Sequence, residues 1–177
     1  MDIKIVDNFM PEDMFLDYSK SIIQIHWTTS NITYKGEDAN LQGSYLDDEL
    51  SCNEIDNFML VHGFYLNNCP SSQLYYQFIE PLLPHIQVKS LVSAKINLHP
   101  RTEKIVQHGY HIDNKFNDSF TSLFYLNTND GYTQFKESGT KIESVANRLV
   151  TFPSSYYHTG STCTNQKYRM ILNLNYF

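Results

Sequence analysis

His111, Asp113 and His158 are the residues whose types and spacing could do chemistry. His111 and Asp113 stand two apart, and His158 follows 45 residues after Asp113. On an extended strand, residues i and i+2 point to the same side. The imidazole and the carboxylate can therefore reach one point, and a histidine from a distant strand can complete a face of three ligands. Two imidazoles and one carboxylate leave three positions open on an octahedral metal, the donor set of non-haem Fe(II) sites that activate oxygen. The H-x-D pair alone is a weak signal, because a single histidine is more often a structural residue. Arg169, eleven residues after His158, adds weight. A guanidinium fork grips a carboxylate bidentately, so Arg169 could hold the far end of a dicarboxylate chelating such a metal. The chain has only three arginines: Arg101, Arg148 and Arg169.

The elements that would position these residues are mostly strands. From about residue 91 onward, short β-like runs alternate with turn residues. The pattern predicts strands near 91–99, 105–113, 119–127, 131–136, 140–145, 148–152, 156–160 and 168–176. Eight short strands with little helix between them indicate a barrel or sandwich rather than a parallel α/β sheet. The last run puts Tyr168, Met170, Leu172 and Leu174 on one face and Arg169, Ile171, Asn173 and Asn175 on the other. A face with Arg and Asn but no Lys or Glu suits the wall of a polar pocket better than a solvent face.

The first 86 residues have another texture. Pro11-Glu12-Asp13 suits a helix start, and Met14, Tyr18, Ile22 and Ile25 follow at helical spacing, predicting a helix over about 11–25. A second helix is expected from Ser71 or Ser72, with a stripe of Leu74, Tyr75, Phe78, Ile79 and Leu82. Pro81 and Pro84 should kink and then end it. Residues 28–58 are rich in Asn, Asp, Ser, Thr and Gly, a long irregular stretch of the kind that forms lids or binding loops, and with Trp27, Tyr34 and Tyr45 it is a candidate part of a lid. The reading is one domain over 1–177, with helical support and lid-like loops in 1–88 and a β core in 89–177.

Length and composition bound the remaining choices. The chain has 177 residues, 41% hydrophobic and 18% charged, as in an ordinary folded domain. The net charge of −6 argues against a nucleic-acid partner. Three cysteines with no C-x-x-C pattern argue against a disulfide framework or a zinc ribbon. The N-terminal residues lack the pattern of a signal peptide, and no apolar run approaches the roughly 20 residues of a membrane span. The expected setting is cytoplasmic, without a membrane.

Beyond single residues, the sequence resembles the Fe(II)- and 2-oxoglutarate-dependent oxygenases with a double-stranded β-helix (jelly-roll) core, especially their prolyl-4-hydroxylase-like branch. The resemblance covers about 90–177. It is carried by H-I-D at His111 to Asp113, F-Y-L-N at Phe124 to Asn127, N-R-L-V-T-F-P at Asn147 to Pro153, H-T-G at His158 to Gly160 and Y-R at Tyr168-Arg169. It implies a mainly β fold with flanking α-helices and a jelly-roll core. It implies His111, Asp113 and His158 as iron ligands, with Arg169 and Tyr125 on the 5-carboxylate of 2-oxoglutarate. Asn173 and His99 would line the co-substrate pocket. His99 departs from the tyrosine that often precedes the proline in relatives, and Tyr132 replaces the second glycine of their G-G-x-x-x-F run.

The activity implied is hydroxylation of a substrate C–H bond, with O2 as the other co-substrate, release of succinate and CO2, and ascorbate as a candidate reductant. The carboxylate ligand favours hydroxylation over halogenation. A prolyl or other peptidyl residue is the expected substrate, with small molecules as the alternative. Arg101 and Tyr110, flanking the metal strand, are candidate substrate contacts. Two other readings compete: a cupin-like metal enzyme that needs no 2-oxoglutarate, and a non-catalytic jelly-roll binding protein. His108, three residues before His111, should point away from the metal and be structural or solvent-facing. Cys163 is read as incidental.

Overall fold

A computed structural model describes residues 2–32, 45–46, 55 and 57–177. In chain order the strands are β1 (Lys4–Val6), β2 (Thr28–Ser30), β3 (Tyr45–Leu46), β4 (Met59–Leu66), β5 (Cys69–Pro70), β6 (Leu91–Pro100), β7 (His111–Ile112), β8 (Phe120–Tyr125), β9 (Tyr132–Phe135), β10 (Lys141–Glu143), β11 (Arg148–Pro153), β12 (His158–Gly160) and β13 (Tyr168–Tyr176). The helices are α1 (Glu12–Ile22), α2 (Tyr75–Phe78) and α3 (Leu83–Ile86), the last two joined by a 3-10 turn at Glu80–Leu82.

The strands form two antiparallel sheets. The larger runs β1-β11-β8-β13-β6-β4-β2, with β5 on β4, and the smaller runs β10-β9-β12-β7-β3. This is the mainly β jelly-roll core with flanking helices that the sequence implies. Strand alternation divides the apolar residues between two cores. Phe124, Leu172, Leu174, Ile96 and Leu98 turn to the helix side, where they pack with Phe15, Ile22, Phe78 and Ile79. Tyr125, Leu123, Val150, Phe152 and Ile171 turn to the other face, with Phe135 and Ile142 of the smaller sheet. Burying a Phe, Leu or Ile side chain contributes about 1.5–3 kcal/mol, so the two faces of the large sheet secure both layers.

Most predicted strands form within a few residues of their expected bounds. The run at 105–113 does not: only His111–Ile112 is a strand. Upstream of it the Thr162 hydroxyl accepts the Val106 N–H at 2.9 Å, and only an isolated bridge joins Gln107 to Ser161. A side-chain acceptor has replaced a ladder bond there.

In α1 the buried residues are Phe15 and Ile22, whereas Met14 is exposed. The helix stops at Ile22, short of the expected Ile25. The expected second helix is broken at its two prolines, as anticipated, into two single turns around the 3-10 turn. Left-handed Gln87 then ends the segment at φ 61°.

The N-terminal part also supplies strands that helical support alone does not describe. The eight-residue β4 pairs with β6. Its pattern is masked by Gly63, at an irregularity in register between Gly63 and Tyr65. A Cβ at Gly63 would lie 2.6 Å from Leu66 Cδ1, so a larger residue there would displace the exposed Leu66 side chain. Of the expected lid, Tyr34 and most of 33–56 lie outside the described residues, as does Cys52, while Thr28–Ser30 is strand rather than loop. Among the described residues no helix is long and apolar enough to cross a membrane.

Candidate metal centre and co-substrate pocket

His111 on β7 and His158 on β12 are cross-strand partners. Their rings stand 4.6 Å apart between centroids. Asp113 follows β7 directly, with its Oδ2 3.7 Å from His158 Nε2. One ligand atom from each of the three residues falls within 4.8 Å of the others. The i, i+2 geometry and the distant histidine thus meet as the spacing predicts.

Two backbone carbonyls set the histidine tautomers. His111 Nδ1 lies 3.1 Å from the Gly109 carbonyl, and His158 Nδ1 lies 2.9 Å from the Tyr156 carbonyl. A carbonyl only accepts, so each Nδ1 donates to its carbonyl and Nε2 is left as the nitrogen available to a metal. This is the orienting contact that metal-binding histidines use. Burial, followed by repulsion from His158, lowers the His111 pKa to about 4, so its ring is neutral at pH 7. Burial opposes ionisation of Asp113, but the charges of His158, His111 and Lys95 and a hydrogen bond from Thr121 hold its carboxyl below the ordinary value. Thr121 Oγ1 lies 2.7 Å from Asp113 Oδ2, and Asn173 Nδ2 lies 3.5 Å from Oδ1. Asn175 Nδ2 in turn donates to Asn173 Oδ1 at 2.9 Å. The polar face of β13 is therefore a relay that ends on the carboxylate.

Arg169 enters the same cavity from β13. It is fully buried, at 0% exposure, and burial lowers its pKa. Its Nε donates to Ser144 Oγ at 2.7 Å, Nη1 to the Ser161 carbonyl at 3.3 Å and Nη2 to Thr133 Oγ1 at 3.0 Å. All three acceptors are neutral, and among the described residues no carboxylate pairs with this guanidinium. A buried cation is costly unless paired, so the cavity suits an anion at this end.

Tyr125, also fully buried, stacks near the guanidinium at 5.5 Å and donates its hydroxyl to Thr133 Oγ1 at 2.8 Å. Thr133 Oγ1 accepts from both Tyr125 and Arg169, which leaves its own hydroxyl proton to donate elsewhere. Gly131 is needed for this packing: a Cβ there would sit 2.6 Å from Arg169 Cδ and 2.7 Å from the Thr162 carbonyl oxygen.

No protein-family model matches the sequence, and no curated protein matches it. Solved structures do. A prolyl-4-hydroxylase from Pseudomonas putida aligns over 99% of this chain and 91% of its own, with TM-score 0.59 and 14% identity. A Trichoplax adhaerens prolyl hydroxylase, in complex with a peptide fragment of the hypoxia inducible factor oxygen degradation domain, covers 99% and 83%, with TM-score 0.58 and 14% identity. The epimerase SnoN from nogalamycin biosynthesis, with Fe3+, alpha-ketoglutarate and nogalamycin RO, covers 99% and 78%, with TM-score 0.65 and 10% identity.

This chain has the fold of the Fe(II)/2-oxoglutarate oxygenases.

Within that oxygenase fold, His99 lines the cavity at 4% exposure, opposite Arg169 across the β6–β13 ladder. Among the described residues its Nδ1 has no hydrogen-bond partner. His108 stacks on it, with ring centroids 5.4 Å apart, and is fully buried. That corrects the solvent-facing option for His108, although it does stay off the cavity wall.

Arg101 and Tyr110 lie apart from the cavity lining. Arg101 is exposed, and its Nε donates to the Thr164 carbonyl at 2.7 Å. Tyr110 lies 5.9 Å below the Lys136 ammonium. Cys163 is buried beside the Gln166 carbonyl. Sequence reasoning missed Thr133, Ser144 and Thr121, single hydroxyls in a chain rich in them. It also passed over Lys95 and Asn97, although their alternation with Ala94, Ile96 and Leu98 carries the signal.

Proposed function

We propose that this chain is an Fe(II)- and 2-oxoglutarate-dependent oxygenase that hydroxylates a C–H bond, with a prolyl or other peptidyl residue as substrate. The observation that carries this reading is the pairing, in one cavity, of a two-imidazole, one-carboxylate group with a fully buried guanidinium that has no carboxylate partner. A metal alone would account for the first half. The second half calls for an anion some distance from the metal, which the far carboxylate of a chelating dicarboxylate provides.

The donor set fits the metal, because each histidine spends Nδ1 on a carbonyl and leaves Nε2 for the metal, and the Asp113 carboxyl is held below its ordinary value. His111, Asp113 and His158 would hold the iron. Arg169, with the Thr133 and Tyr125 hydroxyls, would hold the 5-carboxylate, and His99 and Asn173 would border the co-substrate. When bound, iron and 2-oxoglutarate supply oxygen activation, with succinate and CO2 as by-products. The protein's own share is positioning. The Gly109 and Tyr156 carbonyls orient the imidazoles, Thr121 and Asn173 orient the carboxylate, and Ile171 and Leu123 give the cavity wall its apolar surface. The prolyl hydroxylases and the epimerase share this fold, which supports the class but spans peptide and small-molecule ligands.

The test is anaerobic titration of the Fe(II)-loaded protein with 2-oxoglutarate, following the visible charge-transfer band. The band should appear, vanish in His158→Ala and weaken in Arg169→Met. Iron-bound, folded protein with no band would overturn the co-substrate assignment and favour a cupin-like metal enzyme, for which Arg169 is dispensable.

A further inference from the structure

The co-substrate reading leaves one cation of the cavity without a task. Lys95 lines the same cavity as the His–Asp–His group. Its neighbours Ala94 and Ile96 are buried in the helix-side core, so alternation turns Lys95, Asn97 and His99 the other way. Across the ladder Lys95 faces Asn173, and His99 faces Arg169. Lys95 and Arg169 are thus four rungs apart, roughly 13–14 Å along the sheet. The Arg169 guanidinium is tied at its own end by Ser144, Ser161 and Thr133. Lys95 belongs to the other end, beside Asn173, whose amide reaches Asp113. Its charge acts on His111 and Asp113. Among the described residues neither a carboxylate nor a hydrogen-bond partner engages its ammonium.

The charges decide what this end of the cavity wants. A divalent iron, Asp113, Arg169 and the dianionic co-substrate together come to neutrality when the histidines are neutral. Lys95 then leaves one positive charge over, at the Asn173 end of the cavity, four rungs from Arg169. A neutral or cationic substrate would leave it uncompensated in a partly desolvated site, whereas an anionic one balances it.

We propose that Lys95 is a specificity residue that selects a substrate carrying a carboxylate or phosphate close to the oxidised C–H bond. On a peptide this is an acidic or phosphorylated residue next to the target; on a small molecule it is the molecule's own carboxylate. The inference rests on the oxygenase reading above.

The experiment loads wild type, Lys95→Met, Lys95→Arg and Lys95→Glu with Fe(II) and 2-oxoglutarate under anaerobic conditions. Binding of acetyl-Ala-Pro-X-Ala-amide, with X as Glu, Gln, Lys or phosphoserine, is read from the change in the visible band. L-proline against L-prolinamide forms the small-molecule arm. Succinate release in air gives a second readout. The wild type should bind the anionic member of at least one pair about tenfold or more tighter than the neutral one. Which pair responds identifies the source of the anion. The preference should disappear in Lys95→Met, survive in Lys95→Arg and shift toward X = Lys in Lys95→Glu. Affinity for 2-oxoglutarate should stay within about threefold in Lys95→Met. Absence of charge preference in the wild type overturns the proposal, as does its persistence in Lys95→Met. A loss of 2-oxoglutarate affinity in Lys95→Met as large as in Arg169→Met also overturns it, by placing Lys95 on the co-substrate. A wild type that forms no band overturns the oxygenase reading itself, an outcome distinct from a band without charge preference.

Discussion

Replacing Arg169 by methionine separates a ligand-binding guanidinium from a structural one. The side chain is fully buried and makes three hydrogen bonds, all to neutral acceptors. Truncation loses those bonds, at about 0.5–1.5 kcal/mol each net. It also removes a desolvated cation, whose burial costs several kcal/mol. Methionine fills much of the same volume. These terms oppose each other, so the stability of the unliganded protein should stay within about 2 kcal/mol of wild type.

Binding behaves differently. Losing the guanidinium that faces a carboxylate in a buried site costs about 3–5 kcal/mol, which is roughly a hundredfold or more in affinity. At a 2-oxoglutarate concentration 100 times its wild-type Kd, ligand stabilises the wild type by about 2.7 kcal/mol. At the same concentration the variant gains only about 0.4 kcal/mol or less. For a domain of this size each kcal/mol moves Tm by about 2–4 °C. The assay is thermal unfolding of the Mn(II)-loaded protein, with and without 2-oxoglutarate. A ligand-induced rise of roughly 5–11 °C in the wild type should shrink to about 1–2 °C or less. A variant that keeps the full rise would refute the assignment of Arg169 to the carboxylate. A variant that unfolds without ligand would show that the guanidinium is structural.

Three further outcomes follow from the geometry. Gly131→Ala pushes a Cβ against Arg169 Cδ and the Thr162 carbonyl oxygen; it should cost about 1–3 kcal/mol in urea unfolding and weaken 2-oxoglutarate binding, and an unchanged midpoint would contradict the close packing. Thr121→Val removes the 2.7 Å contact to Asp113 Oδ2; calorimetric metal titration should show about 10–100-fold weaker binding with the fold intact. Burial, with a smaller contribution from Arg169, lowers the His108 pKa to about 3, so below an unfolded value of about 6.5 the unfolded chain binds a proton that the folded chain refuses. Stability should therefore fall by about 1.4 kcal/mol per pH unit as pH drops from 6.5 toward the folded value. His108→Leu should make the stability loss between pH 6.5 and 5 less steep, the share of buried His111 and His99 remaining, and an identical slope in the variant would argue against a buried neutral imidazole.

Much of the site was legible from residue order alone. The i, i+2 placement of His111 and Asp113 needs only an extended backbone to bring them together. The alternation of 168–176 separates a core face from a polar face wherever that strand lies. Both features are local, and the structure realises them. The two breaks in the second helical segment follow from proline chemistry at Pro81 and Pro84. By contrast β4 was hidden, because Gly63 interrupts its pattern and its partner residues on β6 lie 29 to 38 positions away.

What the sequence alone determined is therefore the list of candidate metal-binding groups, the strand periodicity that aims them and the arginine proposed to accompany them. What only tertiary structure decided is the environment of each group. The pairing of His111 with His158, the Thr133–Ser144–Ser161 clamp on Arg169 and the placement of Lys95 opposite Asn173 all depend on cross-strand register. Hydroxyls and lysines are common along this chain, and nothing in their spacing marks the few that face the cavity. Register is set by how two sheets bury their apolar faces together, and that is a property of distant segments acting at once.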